Sequence, residues 1–268
     1  MFSPEWLSLR EPADTAARSE ALTGALVDAL PGGRAVRILD LGSGTGANAR
    51  YLFPRLRTEQ EWLLADNDAA LLSLVGDRLT SADGRTFQVA TRRADLSILD
   101  DENLFRNRQL VTASALLDLV SESWIQQLVQ HCQRSRAVGL FALTYDGRIE
   151  CDPVDSRDGM IRELVNRHQR TDKGFGPALG PAASGSAERA FADAGYAVRR
   201  APSDWVLTPE MSQLQRQLIE GWAVAARDID TVRSDAIEEW RGRRLSFVKQ
   251  RASTIVVGHD DLLAVPQD

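Results

Sequence analysis

Apolar positions recur along the chain in two alternating rhythms. Over residues 12–30, Ala17, Ala21, Leu22, Ala25, Leu26 and Ala29 fall at helical spacing, Pro12 suits a first-turn position, and Pro31-Gly32-Gly33 ends the run. Short apolar stretches at 36–41, 61–66, 86–90, 109–113 and 136–145 read as buried strands. Helical segments at 47–56, 68–79 and 123–132 separate them. This β-then-α alternation predicts an α/β fold, a doubly wound and mostly parallel sheet with right-handed crossovers.

After Tyr145 the rhythm breaks. Residues 146–183 hold a helical patch (159–170) and the segment Gly174-Phe175-Gly176-Pro177-Ala178-Leu179-Gly180-Pro181. A helix at 184–194, stopped by Gly195, leads to a sixth strand region at 196–207. Thr208-Pro209-Glu210 then starts a helix with Thr as cap and Pro at the first position. Met211, Leu214, Leu218, Trp222 and Ala226 give it one apolar face, and a second helix follows at 231–250. Residues 253–257 and 261–264 close the sheet. No repeat and no linker divides the chain, so residues 1–268 read as one domain with inserts at 146–183 and 208–251.

Composition narrows the classes. With 268 residues and 43% hydrophobic content the chain can bury a large core. No apolar run approaches the roughly 18 residues of a membrane span, and the start Met1-Phe2-Ser3-Pro4-Glu5-Trp6 lacks a signal-peptide layout. The two cysteines, Cys132 and Cys151, form no disulfide framework, and the three histidines lack ligand spacing, so a cytoplasmic location and no metal are expected. A net charge of −6 disfavours a nucleic-acid partner. The one basic cluster, Arg241, Arg243, Arg244, Lys249 and Arg251, sits beside Glu238 and Glu239 and reads as a solvated helix end.

The chemistry concentrates at Val36-Arg37-Ile38-Leu39-Asp40-Leu41-Gly42-Ser43-Gly44-Thr45-Gly46, a strand that breaks into three alternating glycines. Glycines there free the backbone to turn tightly and approach a ligand. Asp66 ends the next strand about 20 residues on, a spacing that suits a carboxylate on ribose hydroxyls. This pattern resembles motif I (acid-x-G-x-G-x-G) of the class I S-adenosylmethionine-dependent methyltransferases, with family acids after the second and third strands falling on Asp66 and Asp95. A dinucleotide site would instead want G-x-G-x-x-G, and Ala47 stands at its third glycine. The resemblance implies the seven-stranded, Rossmann-like methyltransferase sheet and S-adenosyl-L-methionine as cofactor.

The resemblance also implies roles. Gly42, Ser43, Gly44 and Gly46 would pass close to the methionine part of the cofactor, and Asp40 would order the turn and face its amino end. Asp66 would bind the ribose, with Asn67 near the adenine; Asp95 and Leu96 would bind and pack on the adenine; Ser114 would meet the amino group. Arg18 either pairs with the cofactor carboxylate or is a solvated surface charge.

Where many family members carry an acid-His pair, this chain has Leu117 and Asp118, leaving Asp118 either as the general base or as a structural acid. No Asn/Asp-Pro-Pro-Tyr/Phe motif follows the fourth strand, which disfavours adenine or glutamine amino groups as acceptors. Both inserts would leave from the sheet's carboxyl edge, where open α/β sheets bind ligands. Residues 208–251, with Trp222, would cap the acceptor; the alternatives are packing on the sheet or a homodimer interface. The segment His168-Gln169-Arg170-Thr171-Asp172-Lys173-Gly174-Phe175-Gly176-Pro177 suits a small, polar, anionic acceptor, with His168, Arg170, Lys173, Tyr145 and Asp146 as its contacts; the alternative is an exposed polar loop. The expected function is methyl transfer to oxygen or nitrogen of such a metabolite. A methyltransferase acting on RNA or protein, or a non-catalytic cofactor-binding scaffold, stands as the alternative.

Overall fold

The chain opens with two helices, α1 (Pro4–Ala17) and α2 (Glu20–Ala29), in place of one helix over 12–30. Ser3 caps α1 by accepting from the Trp6 amide, and Ser19 caps α2 by accepting from the Leu22 amide. The second cap restarts the helix at an elbow, Arg18, whose backbone is extended. Pro12 therefore lies inside α1 rather than at its start. The computed structural model describes residues 3–32, 35–78 and 88–267.

The alternating core follows: β1 (Val36–Leu41), α3 (Ala47–Leu52), β2 (Gln60–Asp66), α4 (Ala69–Ser73), α5 (Val75–Arg78), β3 (Gln88–Arg93), α6 (Glu102–Phe105), β4 (Leu110–Ser114), α7 (Glu122–Ser135) and β5 (Val138–Asp152). The expected third strand starts at residues 86 and 87, which lie outside the described residues, as do Gly33 and Leu79. Then come α8 (Asp158–Gln169), α9 (Ala183–Asp193), β6 (Tyr196–Pro202), β7 (Trp205–Leu207), α10 (Ser212–Ile229), α11 (Ser234–Lys249) and β8 (Thr254–Pro266).

The strand order is β3-β2-β1-β4-β5-β8-β6, with β7 also on β8, so the described sheet has eight strands. β1 to β5 pair in parallel, whereas β8 runs antiparallel to β5, β6 and β7. The sixth strand region splits because Asp204 replaces a backbone acceptor: its carboxylate takes the His259 amide at 3.2 Å. Where one strand was expected to end at Tyr145, β5 runs on to Asp152, so residues 146–152 are strand rather than insert. β8 accompanies it, and the pair forms an arm past the sheet's carboxyl edge. Gly258 is required there, since a Cβ on it would sit 2.2 Å from Asp146 Oδ1.

Apolar packing fills both faces of the sheet and one side of the arm. Leu26, Ile38, Leu52 and Leu64 pack on one face; Val111, Ile125, Phe141 and Phe191 on the other. On the arm, Ile149, Cys151, Ile255 and Val257 pack with α8, α10, α11 and the Trp6, Leu9 and Ala13 face of α1. No helix of the described residues is long and apolar enough to cross a membrane.

Candidate functional site

Three positive φ angles, +63° at Gly42, +51° at Gly44 and +82° at Gly46, turn the chain from β1 into α3. A side chain at Gly44 would be strained and would also press Leu7 Cδ1, at 3.1 Å from its Cβ position. The loop is tied to β2 by two bonds: Ser43 N donates to the Ala65 carbonyl (3.2 Å) and Gly44 N donates to Asp66 Oδ2 (2.8 Å). Asp66 Oδ1 accepts from the Asp68 amide at 2.9 Å, which fixes the start of α4. Above this loop opens a cavity of about 480 Å³.

Its walls come from distant parts of the chain. Gly42, Ser43, Gly44, Asp66, Asn67, Leu96 and Ser114 line it, as the family resemblance implies, and so does Lys173 from the 168–177 segment. Ser43 Oγ and Thr45 Oγ1 face this region buried and without a protein partner. Buried hydroxyls of that kind need a hydrogen bond, and a polar ligand supplies it. The glycine cradle, the free hydroxyls and the Asp66 carboxylate together fit a ligand carrying a sugar and charged polar groups.

Other expected residues lie elsewhere. Asp40 is fully buried beneath the loop and holds Asn48 Nδ2 at 2.8 Å; burial pushes its carboxyl up to about 7, against the pull of the Asn48 bond and the Arg18 charge. Gly46 caps α3 rather than lining the cavity. Asp95 is exposed and accepts from the Ser97 amide, which with the Ser97 hydroxyl holds its carboxyl below the usual range. Arg18 does not line the cavity and is not a surface charge: it is buried, with Nη1 on Asn48 Oδ1 at 2.8 Å and Nε 3.4 Å from Asp261.

Asp118 does not line the cavity, although its neighbours Leu116 and Leu119 do: it sits on a 3-10 turn (Leu117–Leu119), buried, with Oδ1 lacking a partner. Burial pushes it up to about 6, opposed by the charge of Arg10. Tyr145 donates its hydroxyl to Asn166 at 2.8 Å, and Asp146 pairs with Arg148, so neither lines the cavity. His168 is one bond removed, with Nδ1 3.3 Å from Lys173 Nζ. Arg170 is exposed at the end of α8. Trp222 points into the core of the arm, and no residue of 208–251 lines the cavity, because α10 packs on α8 and α11 instead. Among the described residues no three His, Cys, Asp or Glu side chains converge on a metal position.

One contributor was not expected. α1 presents Leu7, Arg10 and Asp14, one helical face, to the cavity, beside its core-facing Trp6, Leu9 and Ala13. Arg10 Nε and Nη2 hold Asp14, which also accepts from Trp205 Nε1 at 3.1 Å. Phe175, from the expected 168–177 segment, lines the cavity beside Lys173 and meets Trp124 edge-on. The signal for α1 was present in Ser3-Pro4-Glu5, a cap followed by Pro and an acid.

The strand order and the glycine loop at the carboxyl edge define the class I methyltransferase fold. Solved structures bear this out. A cyclopropane synthase from Mycobacterium tuberculosis, MmaA2, superposes over 98% of this chain and 94% of its own with a TM-score of 0.52 at 12% identity. The YcgJ protein from Bacillus subtilis matches 93% of this chain and 100% of its own with a TM-score of 0.51, also at 12% identity. No protein-family model matches the sequence, and no curated protein does.

Proposed function

We propose that this protein is an S-adenosylmethionine-dependent methyltransferase acting on oxygen or nitrogen of a small, polar, anionic acceptor. The observation that carries the reading is the Gly44–Asp66 contact at the wall of a 480 Å³ cavity. Asp66, with lone pairs to spare beyond its two amide bonds, would hold the ribose. Asn67, Leu71 and Leu96 would enclose the adenine, and Ser43, Thr45 and Ser114 would meet the methionine end. The cofactor brings a methyl group on a leaving group already activated by its positive charge.

The chain's own work is then alignment, exclusion of water and disposal of one proton. Leu7, Leu119 and Phe175 wall off the acceptor side. Lys173 supplies charge there: its Nζ meets only His168 Nδ1 and Thr171 Oγ1, and among the described residues no carboxylate pairs with it. Arg10, by contrast, already carries Asp14. An acceptor with one anionic group complements this arrangement. Asp118 lies one residue behind the cavity wall at Leu119, with a free Oδ1 and its carboxyl raised to about 6 by burial, and would take the acceptor's proton from there. The basic cluster near 241–251 offers little to a polyanion, since Arg241, Arg243, Arg244 and Arg251 pair with Glu238, Asp155, Asp158 and Glu210. Both cysteines are free and buried, which suits a reducing cytoplasm.

The test is transfer of labelled methyl from the cofactor into fractionated cell extract. Label in an anionic metabolite is expected. Label in RNA or protein alone would move the enzyme to a macromolecular acceptor, and cofactor binding without any transfer would make it a scaffold.

A further inference from the structure

A chain of buried polar groups runs beneath the glycine loop and ends on β8, three strands along the sheet from β1. Asn48 Nδ2 donates to Asp40 Oδ1 (2.8 Å) and to Thr112 Oγ1 (3.1 Å), and Asn48 Oδ1 accepts from Arg18 Nη1 (2.8 Å). Arg18 Nε lies 3.4 Å from Asp261 Oδ2 on β8. Asp261 in turn accepts from the backbone amides of Ser19 and Leu143, each at 2.9 Å. Arg18, Asp40, Asn48 and Asp261 are at most 6% exposed, and the Arg18 guanidinium also covers the Tyr51 ring at 4.4 Å.

Two features make this more than a structural ion pair. Arg18 and Ser19 form the elbow between α1 and α2, and α1 is the helix that supplies Leu7, Arg10 and Asp14 to the cavity. Asn48 lines the same cavity from below. The elbow is therefore bolted to the floor of the site through Arg18 and to β8 through Asp261, while Glu11 of α1 grips Arg50, whose Nη1 reaches the Thr45 carbonyl at 2.6 Å. The network also carries two carboxylates for one guanidinium, and Asp40 Oδ2 has no partner. Negative charge left over beneath Asn48 favours a cationic group above it.

Building on the proposed cofactor reading, we infer that Arg18 is a positioning residue for the cofactor: it locks the α1 roof to the Asn48–Asp40 floor and sets the charge that receives the cofactor's ammonium group. The groups facing Asp40 are Asn48 on α3, Thr112 on β4, Asp66 on β2 and, through Asn48, Arg18; only Asp66 and Arg18 bear charge. Asp40 ionises near pH 7 with Arg18 in place, so affinity for an ammonium-bearing ligand rises as pH passes through 7. Without the Arg18 charge that midpoint moves to higher pH.

The experiment is calorimetric titration with S-adenosylhomocysteine from pH 6 to 9, alongside thermal unfolding. Wild type binds with its midpoint near 7. Arg18→Met, or Arg18→Met with Asp261→Asn to avoid a stranded buried carboxylate, weakens binding at least tenfold at pH 7 and shifts the midpoint up. Arg18→Lys keeps the charge but loses the Asn48 bond, so it binds several-fold more weakly with the midpoint unmoved. A folded double variant with wild-type affinity and midpoint would overturn the inference, as would failure of every variant to fold, which would make the role structural only. Absence of binding by the wild type would instead overturn the cofactor reading on which the inference stands.

Discussion

Gly44 donates its backbone N–H to Asp66 Oδ2 across 2.8 Å, so the carboxylate that faces the cavity also shapes the loop beneath it. Asp66→Ala removes both functions. Affinity for S-adenosylhomocysteine is expected to fall by about 1–3 kcal/mol, the loss of charge-assisted hydrogen bonds in a buried site. Calorimetry on the folded variant checks this; unchanged affinity would remove Asp66 from the site.

Asp40 makes stability depend on pH. Its ordinary value is 3.8 and burial raises it to about 7, so between those values the folded state keeps a proton that the unfolded chain has released. Its contribution is whole below about 4 and is lost as pH rises through 7. Asp40→Asn, which keeps an acceptor for Asn48, should therefore be more stable than wild type at pH 8, by about 1–3 kcal/mol, and equal to it near pH 4. Urea unfolding at both pH values measures the difference; a variant less stable than wild type at pH 8 contradicts the assignment.

Trp222 serves the fold of the arm rather than the cavity. Trp222→Ala empties a site 8% exposed among apolar neighbours and should cost about 3–5 kcal/mol in urea unfolding. S-adenosylhomocysteine affinity of the folded variant should stay within about twofold of wild type, because no contact to the cavity is lost. A large affinity loss with stability intact would return this residue to the site.

The acceptor side gives a paired prediction on whichever metabolite accepts label. Lys173→Met should raise KM for the anionic acceptor at least tenfold, about 1.4 kcal/mol, while sparing S-adenosylhomocysteine binding. Asp118→Asn should instead lower kcat by about 10²–10⁴. In wild type the rate climbs as Asp118 ionises around pH 6, and in the variant that limb should flatten. An unaltered pH–rate profile in Asp118→Asn would leave this acid a purely structural part.

What was legible in the sequence divides along physical lines. Residues 36–46 betrayed their fold because glycine adopts left-handed backbone without strain and that loop needs it three times, and Asp66 ends a strand at the matching distance. The arm was missed because Asp146-Gly147 reads as a turn, although Ile149 and Cys151 alternate with polar residues as a strand should. Amphipathicity told that Trp222 is buried but not against what, since periodicity carries no partner. Arg18 was misread because an isolated arginine is usually solvated, and its partners Asn48 and Asp261 lie 30 and 242 or more residues from the elbow it belongs to.

The most direct measurement is competitive calorimetry with S-adenosylmethionine, S-adenosylhomocysteine and a nicotinamide dinucleotide at pH 7.5. The Asp40-to-Gly46 loop, the Asp66 carboxylate and the α1 roof predict micromolar binding of both sulfur cofactors and none of the dinucleotide. Tight binding of the dinucleotide with no heat from either sulfur cofactor would contradict the account at its centre.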